Sequence, residues 1–332
     1  MASLLPIILA LAGTQTPIAT QLNEKLDAME ANHFRGVLYV ERGGKEAFFH
    51  SVGFADPDTK RPFTKATGIE IGSIVKPIVG TAVYRLAEEG KLSLSDSIAK
   101  YFPGTPTDKQ PITIDMLLKH TSGFKDTFGD DYDPMKRDEL IQKMLASKLL
   151  FVPGEKNEYS NSGYSMLTTI MEKVTGEPME QHIAKTQFKL LNMTRTGYVL
   201  PKWKSNEVAI GYGPLGKKFG SPLDHFWFPD GPGWNLRGNG GMITTVGELS
   251  RWCRALHNGE LMKPESYRLF APKFAVDPVP DNFWGVAGGN GIFNCVLAYN
   301  PAQKLTVVAF SADGKLEIEK NLRDLFPLIR KL

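Results

Sequence analysis

The chain has 332 residues, 42% of them apolar and 23% charged, with a formal net charge of +3. It is long enough for one large domain, or two interlocked ones, around a real core. The small net charge and the lack of any like-charge block argue against a nucleic acid or an anionic surface as partner, and no apolar run is long enough to span a bilayer.

The N-terminus, MASLLPIILALAGTQTPIAT, carries no charged side chain before Glu24. Leu4 to Ala12 is apolar, and Ala10-Leu11-Ala12 has the small-x-small form of a signal-peptide cleavage site. Residues 1–20 are therefore a candidate signal peptide, and export to the periplasm or medium is the expectation. No Lys or Arg precedes the run, so the alternative is an apolar segment packed on the body of a cytoplasmic protein. Residues 21–33, QLNEKLDAMEANH, space their apolar side chains as a helix does. FRGVLYVERGGKEAFFHSVGFAD reads as two strands around a Gly-Gly turn. TGIEIGS is a short strand-like approach to Ser73, and IVKPIVGTAVYRLAEEG reads as a helix ended by Gly90.

From about 91 to 235 helical segments alternate with loops; MLLKHTSGF, DELIQKMLASKLL and YSMLTTIMEKVTG are the clearest. Residues 212–240 are rich in Gly, Pro and aromatics, a long irregular stretch of the kind that lines sites or covers a core. In TTVGELSRWCRALHNG, Thr245 followed three residues on by Glu248 has the form of a helix cap. FWGVAGG, GIFNCVLAYN and LTVVAFSA read as strands, and EIEKNLRDLFPLIRKL as a closing helix. The expected class is α+β: an antiparallel sheet built from both chain ends and flanked by helices, with an inserted, mostly helical region. Residues 21–332 form one unit, its α/β part near 21–90 and 236–332 and its helical part near 91–235. The two cysteines, Cys253 and Cys295, are too few for a disulfide scaffold and can be free thiols or one bridge. The six histidines are scattered, so neither a metal nor a cofactor is expected.

Three S-x-x-K pairs occur: Ser73/Lys76, Ser97/Lys100 and Ser122/Lys125. Ser122 precedes Gly123 in a turn, so its pair would not share a helix face. Ser97 opens a short helix that ends before Pro103. Ser73 sits where a strand-like run meets a long apolar helix. A serine there commonly caps the helix. The same position also suits a nucleophile: on a helix Lys76 faces Ser73, and free N–H groups at the helix start stabilise developing negative charge. A burial-lowered amine then acts as base. Tyr159-Ser160-Asn161 is the only Y-x-N in the chain. A phenol near a cation relays protons, and an Asn two residues on holds a lysine or a substrate amide. Capping and packing are the ordinary roles of such residues.

Taken together, these segments resemble the serine beta-lactamase and penicillin-binding protein superfamily, in the branch of class C beta-lactamases, D-stereospecific peptidases and beta-lactamase-like (family VIII) esterases. The resemblance runs from about Phe34 to Lys315. It is carried by the Ser73-to-Tyr159 spacing, by ITIDMLLKHTSGF, by FVPGEKNEYSNSGYSMLTTIMEKVTGEPM and by LRGNGGMITTVGELSRW. It implies that Ser73 attacks an ester or amide carbonyl, that Lys76 and Tyr159 move its proton, that Asn161 orients Lys76 and the substrate, and that two backbone N–H groups hold the oxyanion.

One of those N–H groups belongs to Ser73; the other lies on the strand with the family's third motif, Lys-Thr-Gly or His-x-Gly. Here that strand reads Val286-Ala287-Gly288-Gly289. Gly288 keeps the motif glycine, Gly289 would supply the second N–H, and Val286 replaces the cation. A two-residue slip would instead put Trp284 at that place. A charge-assisted hydrogen bond is worth roughly 1.5–3 kcal/mol, or one to two orders of magnitude, and its loss falls on anionic substrates. Trp284 and the aromatics of 225–234 are candidates for an apolar pocket. The leading expectation is a serine hydrolase of esters or amides, with carboxylesterase first. A beta-lactamase, DD-peptidase or D-amino-acid peptidase comes next. Transfer of the acyl group to an alcohol or amine and a non-catalytic scaffold on the same fold stay open. The partner is then a small ester, amide or peptide-like molecule.

Overall fold

The computed structural model describes residues 16–31, 33–274, 282–314 and 321–332. Its centre is a five-stranded antiparallel sheet. The strands are β1 (Gly36–Arg42), β2 (Lys45–Val52), β3 (Trp284–Gly289), β4 (Asn294–Asn300) and β5 (Leu305–Ser311). Their spatial order is β3-β4-β5-β1-β2. Both chain ends thus build one sheet: Gly36 pairs with Val52 in its own hairpin and with Ser311 from the far end of the sequence. Gly43 and Gly44, both with positive φ, make the β1–β2 turn expected from their sequence.

Alternation along the strands sorts side chains to two faces. Leu38 and Val40 of β1 join Val296 of β4 and Val307 of β5 against Leu22 and Leu26 of α1 (Ile18–Glu30). Val37 and Tyr39 face the other way, into the large core that holds the remaining helices. α1 begins inside the segment read as a leader, and residues 1–15 of that segment lie outside the described residues. Among the described residues no helix is long and apolar enough to cross a membrane.

α2 (Val75–Glu88) follows a single 3-10 turn at Gly72–Ile74 and is buried along most of its length. It packs against α5 (Asn161–Thr175), with α3 (Ile114–Leu118), α4 (Arg137–Ala146) and α6 (Met179–Ile183) nearby in the helical region. α3 is shorter than MLLKHTSGF promised, because the chain leaves helical geometry at His120, where φ is +59°. α7 (Val246–His257) and α8 (Pro264–Phe274) lead back to the sheet. The closing helix is also broken. Residues 315–320 lie outside the described residues, helical backbone stops after Leu322, and α9 (Phe326–Ile329) starts afresh with Pro327 in its first turn. Proline has no N–H to continue a helix but fits at the start of one. Cys253 and Cys295 are both buried and free.

Thr245 caps α7, its hydroxyl accepting from Glu248 N at 3.3 Å. Glu248 does not close the box. Its buried carboxylate accepts from Thr194 N (2.8 Å), Arg195 N (3.0 Å) and the Thr196 hydroxyl (2.6 Å), tying an irregular segment to α7. Glu248→Ala would strand those donors. We expect it to lower unfolding free energy by about 2–4 kcal/mol, read as an earlier urea midpoint at unchanged m-value; a change within 0.5 kcal/mol would contradict this account.

Candidate active site

Ser73 lies in the 3-10 turn before α2, and its hydroxyl makes no capping bond to either helix. The Oγ sits 2.6 Å from the Tyr159 hydroxyl and accepts from Lys76 Nζ at 2.9 Å. Lys76 is one helical turn on, on the same face, as the spacing predicts. Its Nζ also donates to Asn161 Oδ1 (2.7 Å) and to the Asn239 carbonyl (2.9 Å). All three acceptors are neutral. The side chain is buried, and burial lowers its pKa from the ordinary lysine value to about 7, against the more distant pull of Asp126 and Asp131.

Tyr159 and Asn161 flank the start of α5. Ser160 caps that helix, accepting from Gly163 N at 3.1 Å, and Asp126 Oδ1 accepts from Asn161 N at 2.9 Å. The chain enters α5 in an extended conformation, which throws Tyr159 to one side of the cap while Asn161, the first helical residue, reaches Lys76. The Tyr159 ring stacks on His120, centroids 4.6 Å apart. His120 Nδ1 accepts from Ser160 N (3.1 Å), and burial, then the Lys76 charge, lowers its pKa to about 4. It is a neutral platform at ordinary pH. Burial of the Tyr159 hydroxyl raises its pKa to about 12, with the Ser73 hydrogen bond opposing. The residue as a whole is 46% exposed, so water screens part of that rise.

The opposite wall is β3. A Cβ on Gly288 would lie 2.2 Å from the Ile71 carbonyl oxygen and 2.6 Å from Ser73 N. One on Gly72, whose φ is +47°, would lie 2.4 Å from Gly289 N. Only glycine lets this edge strand press against the Ser73 turn. Glu70 binds the junction from below: Oε1 accepts from Gly72 N (3.1 Å) and Gly241 N (3.2 Å), Oε2 from Asn290 Nδ2 (2.9 Å). Burial raises its pKa to about 7, with Asp131 adding to the rise.

Ser73, Lys76, Tyr159, Val286 and Ala287 line one cavity of about 540 Å³. Val286 faces it and Trp284 does not; the Trp284 indole donates to the Ala271 carbonyl (3.1 Å) and packs on His257. Of the two residues weighed for the place of the motif cation, Val286 is thus the one at the cavity. None of residues 225–234 lines this cavity; Phe228, Asp230 and Trp234 line a separate one of about 460 Å³ beside Arg137 and Glu172. Phe226 and Phe228 pack on each other, and Trp234 lies under Arg237, whose guanidinium pairs with Asp230 at 2.8 Å. The apolar lining comes from Pro77, Pro272, Phe274 and Val286. The other two S-x-x-K pairs stay apart from it: Ser97 caps a 3-10 turn while Lys100 pairs with Asp96 (2.8 Å), and Ser122 is buried in a turn, accepting from Phe124 N (3.3 Å).

A sequence profile of the beta-lactamase family matches residues 22–325. The chain belongs to the beta-lactamase family. A putative penicillin-binding protein, PbpX, of Bacillus subtilis is 30% identical over 84% of this chain and 70% of its own length. The chain spans about half, 48%, of Protein flp of Staphylococcus aureus, at 29% identity. Among solved structures, D-amino acid amidase from Ochrobactrum anthropi superposes with a TM-score of 0.78 at 20% identity, covering 95% of this chain and 99% of that one. A class C beta-lactamase variant gives 0.78 at 20%, covering 96% and 99%. At such identity the two structures establish a shared fold.

Several features of this beta-lactamase-family site escape a reading of motifs. The Asn239 carbonyl is one. Its own side chain is locked to Ser165 Oγ (3.0 Å) and the Asn235 carbonyl (2.7 Å), which aims the backbone oxygen at Lys76. A backbone acceptor leaves no signature in side-chain order. Asp126 and His120 act on the site through Asn161 N and Ser160 N, and Glu70 also through Gly241 N and Asn290, all distant in sequence, so that neither His120 in ITIDMLLKHTSGF nor Glu70 in TGIEIGS announces its partners.

Proposed function

We propose that this protein is a serine hydrolase that forms an acyl-enzyme on Ser73 and cleaves carboxylic esters or amides. The observation that carries the reading is one hydroxyl, free of any capping duty, held between a phenol at 2.6 Å and a buried amine at 2.9 Å. With a pKa near 7, Lys76 has a large unprotonated fraction at neutral pH, whereas Tyr159 keeps its proton. In that neutral form the amine keeps two donated bonds, to Asn161 and the Asn239 carbonyl, and its lone pair takes the Ser73 proton. Lys76 is thus the base, and Tyr159 relays the proton to the leaving group. Ser73 Oγ attacks the carbonyl carbon. The oxygen becomes an oxyanion between the N–H groups of Ser73 and Gly289. Collapse expels the leaving group, which takes its proton from Tyr159. Water then attacks the Ser73 ester, and the acid leaves as the Oγ–H is restored. Asn161 holds the Lys76 amine on line.

Carboxylic esters are the first class to test, because Val286 supplies no cation on the strand and neutral esters lose least from that. A second reading, a peptidase or beta-lactamase, draws support from the 30% identity to a putative penicillin-binding protein. Purified protein is to be assayed on p-nitrophenyl butyrate and on nitrocefin, and labelled with a fluorophosphonate probe. Ester cleavage with slow nitrocefin turnover and labelling at Ser73 supports the esterase. Fast nitrocefin turnover selects the second reading. Neither labelling nor turnover means a scaffold, and the proposal falls.

Protonation of Lys76 silences the base, so kcat/KM should rise with pH and level off, with an apparent midpoint near 7. A flat profile from pH 5 to 9 on a substrate limited by acylation would remove Lys76 from the role of base.

A further inference from the structure

Lys119 and Lys273 line the same cavity as Ser73 and Val286. Both pair with one carboxylate: Lys119 Nζ is 2.5 Å from Asp115 Oδ2, and Lys273 Nζ is 3.2 Å from Asp115 Oδ1. Two ammonium groups share one counter-ion, so this wall keeps an unbalanced positive charge. Other groups facing it do not cancel that charge. His120 is neutral, and the Tyr84 phenol, raised by burial and by Asp115, accepts from Lys273 as a neutral hydroxyl. An ammonium has three donors. Lys273 spends them on Asp115 and Tyr84 with one left; Lys119, half-exposed, spends one on Asp115.

The position of this charge has a chemical meaning. Tyr159 delivers the proton to the departing group, so the leaving group lies on its side of the cavity. His120 is stacked on Tyr159, and Lys119 is its neighbour in sequence. Lys273 comes from the end of α8, between Pro272 and Phe274, which give that end of the cavity an apolar lining. The result is an apolar slot tipped with ammonium donors, on the departing side of the scissile bond.

We infer that Lys273 and Lys119 form a carboxylate-binding subsite for the leaving group, so that the preferred substrates are esters or amides whose leaving group is anionic, with the charge read from α3 and α8 and not from the strand that carries Val286. This rests on the acyl-enzyme reading above and narrows its substrate class.

The test compares 3-carboxyphenyl butyrate with 3-carbamoylphenyl butyrate, which differ in charge and little in shape. Wild type should prefer the carboxylate ester by about tenfold to a hundredfold in kcat/KM, the size of a charge-assisted hydrogen bond, with the difference mainly in KM. Lys273→Met, Lys119→Met and the double variant should bring that ratio stepwise towards one. A ratio is insensitive to how much of a variant folds. Equal rates on both esters in wild type would overturn the inference while leaving the hydrolase reading in place. Binding decides the matter without turnover: calorimetry on Ser73→Ala should show 3-hydroxybenzoate bound at least tenfold tighter than 3-hydroxybenzamide, and equal affinities would overturn the inference. Esters that are not cleaved, with 3-hydroxybenzoate still preferred, would place the failure in the hydrolase reading alone.

Discussion

Ser73→Ala should lower kcat on any substrate the protein turns over by at least about 10⁴-fold, since removal of a nucleophile from a coupled catalytic set removes nearly all of its rate enhancement. The fold should survive. The Ser73 hydroxyl caps no helix, and the Tyr159 hydroxyl it would leave behind faces a cavity open to water. An unchanged melting temperature with lost turnover and lost fluorophosphonate labelling is the expected pattern. Retention of a tenth of the activity would show that another group carries the chemistry.

Lys76→Met should act on two quantities at once. The rate should fall by about 10²–10⁴-fold, the usual value of a positioned general base. Stability should move in a pH-dependent way. A shift from the ordinary lysine value of 10.5 to about 7 corresponds to roughly 5 kcal/mol disfavouring the buried ammonium. Between those values the unfolded chain holds the proton and the folded one does not. Stability of the wild type therefore rises with pH across this window, and below pH 7 the penalty is present in full. Methionine has no such term, but it leaves Asn161 Oδ1 and the Asn239 carbonyl without their donor. The difference in unfolding free energy, Met variant minus wild type, should thus grow by several kcal/mol as pH falls from 10 to 6. A constant difference would mean that the amine is not buried in its charged form.

The meeting of Ser73, Lys76, Tyr159 and Asn161 was legible because these residues lie in short local patterns. Lys76 is one turn from Ser73, and Tyr159 and Asn161 straddle a helix cap, so local geometry alone decides which way they point. The sheet strands were legible for a similar reason: their runs are apolar and bounded by glycine and asparagine. What escaped depends on distant segments. Glu248 fits a capping box by spacing, yet three donors from 194–196 outcompete the cap. The aromatics of 225–234 were candidates for a pocket or for packing by composition, and two of them, Phe228 and Trp234, line a cavity separate from the one at Ser73. Val286 brings no charge to the cavity wall, and no local pattern reveals that Lys119 and Lys273 bring two cations to the same cavity from α3's end and from α8.

The pairing of Gly36 with Ser311 has a consequence for how the protein comes into being. During synthesis α2 and Ser73 emerge early, but the edge strand that presses on Ser73 is made much later, and its anchoring partners β4 and β5 later still. Contacts this far apart in sequence close slowly and late in folding. The β1–β2 hairpin must wait with an unpaired edge until β5 arrives, the stage most exposed to aggregation. Assembly of the Ser73 cavity is then coupled to completion of the sheet, so that a nascent chain passes through synthesis with Ser73 present but the wall that Gly288 presses against it unbuilt.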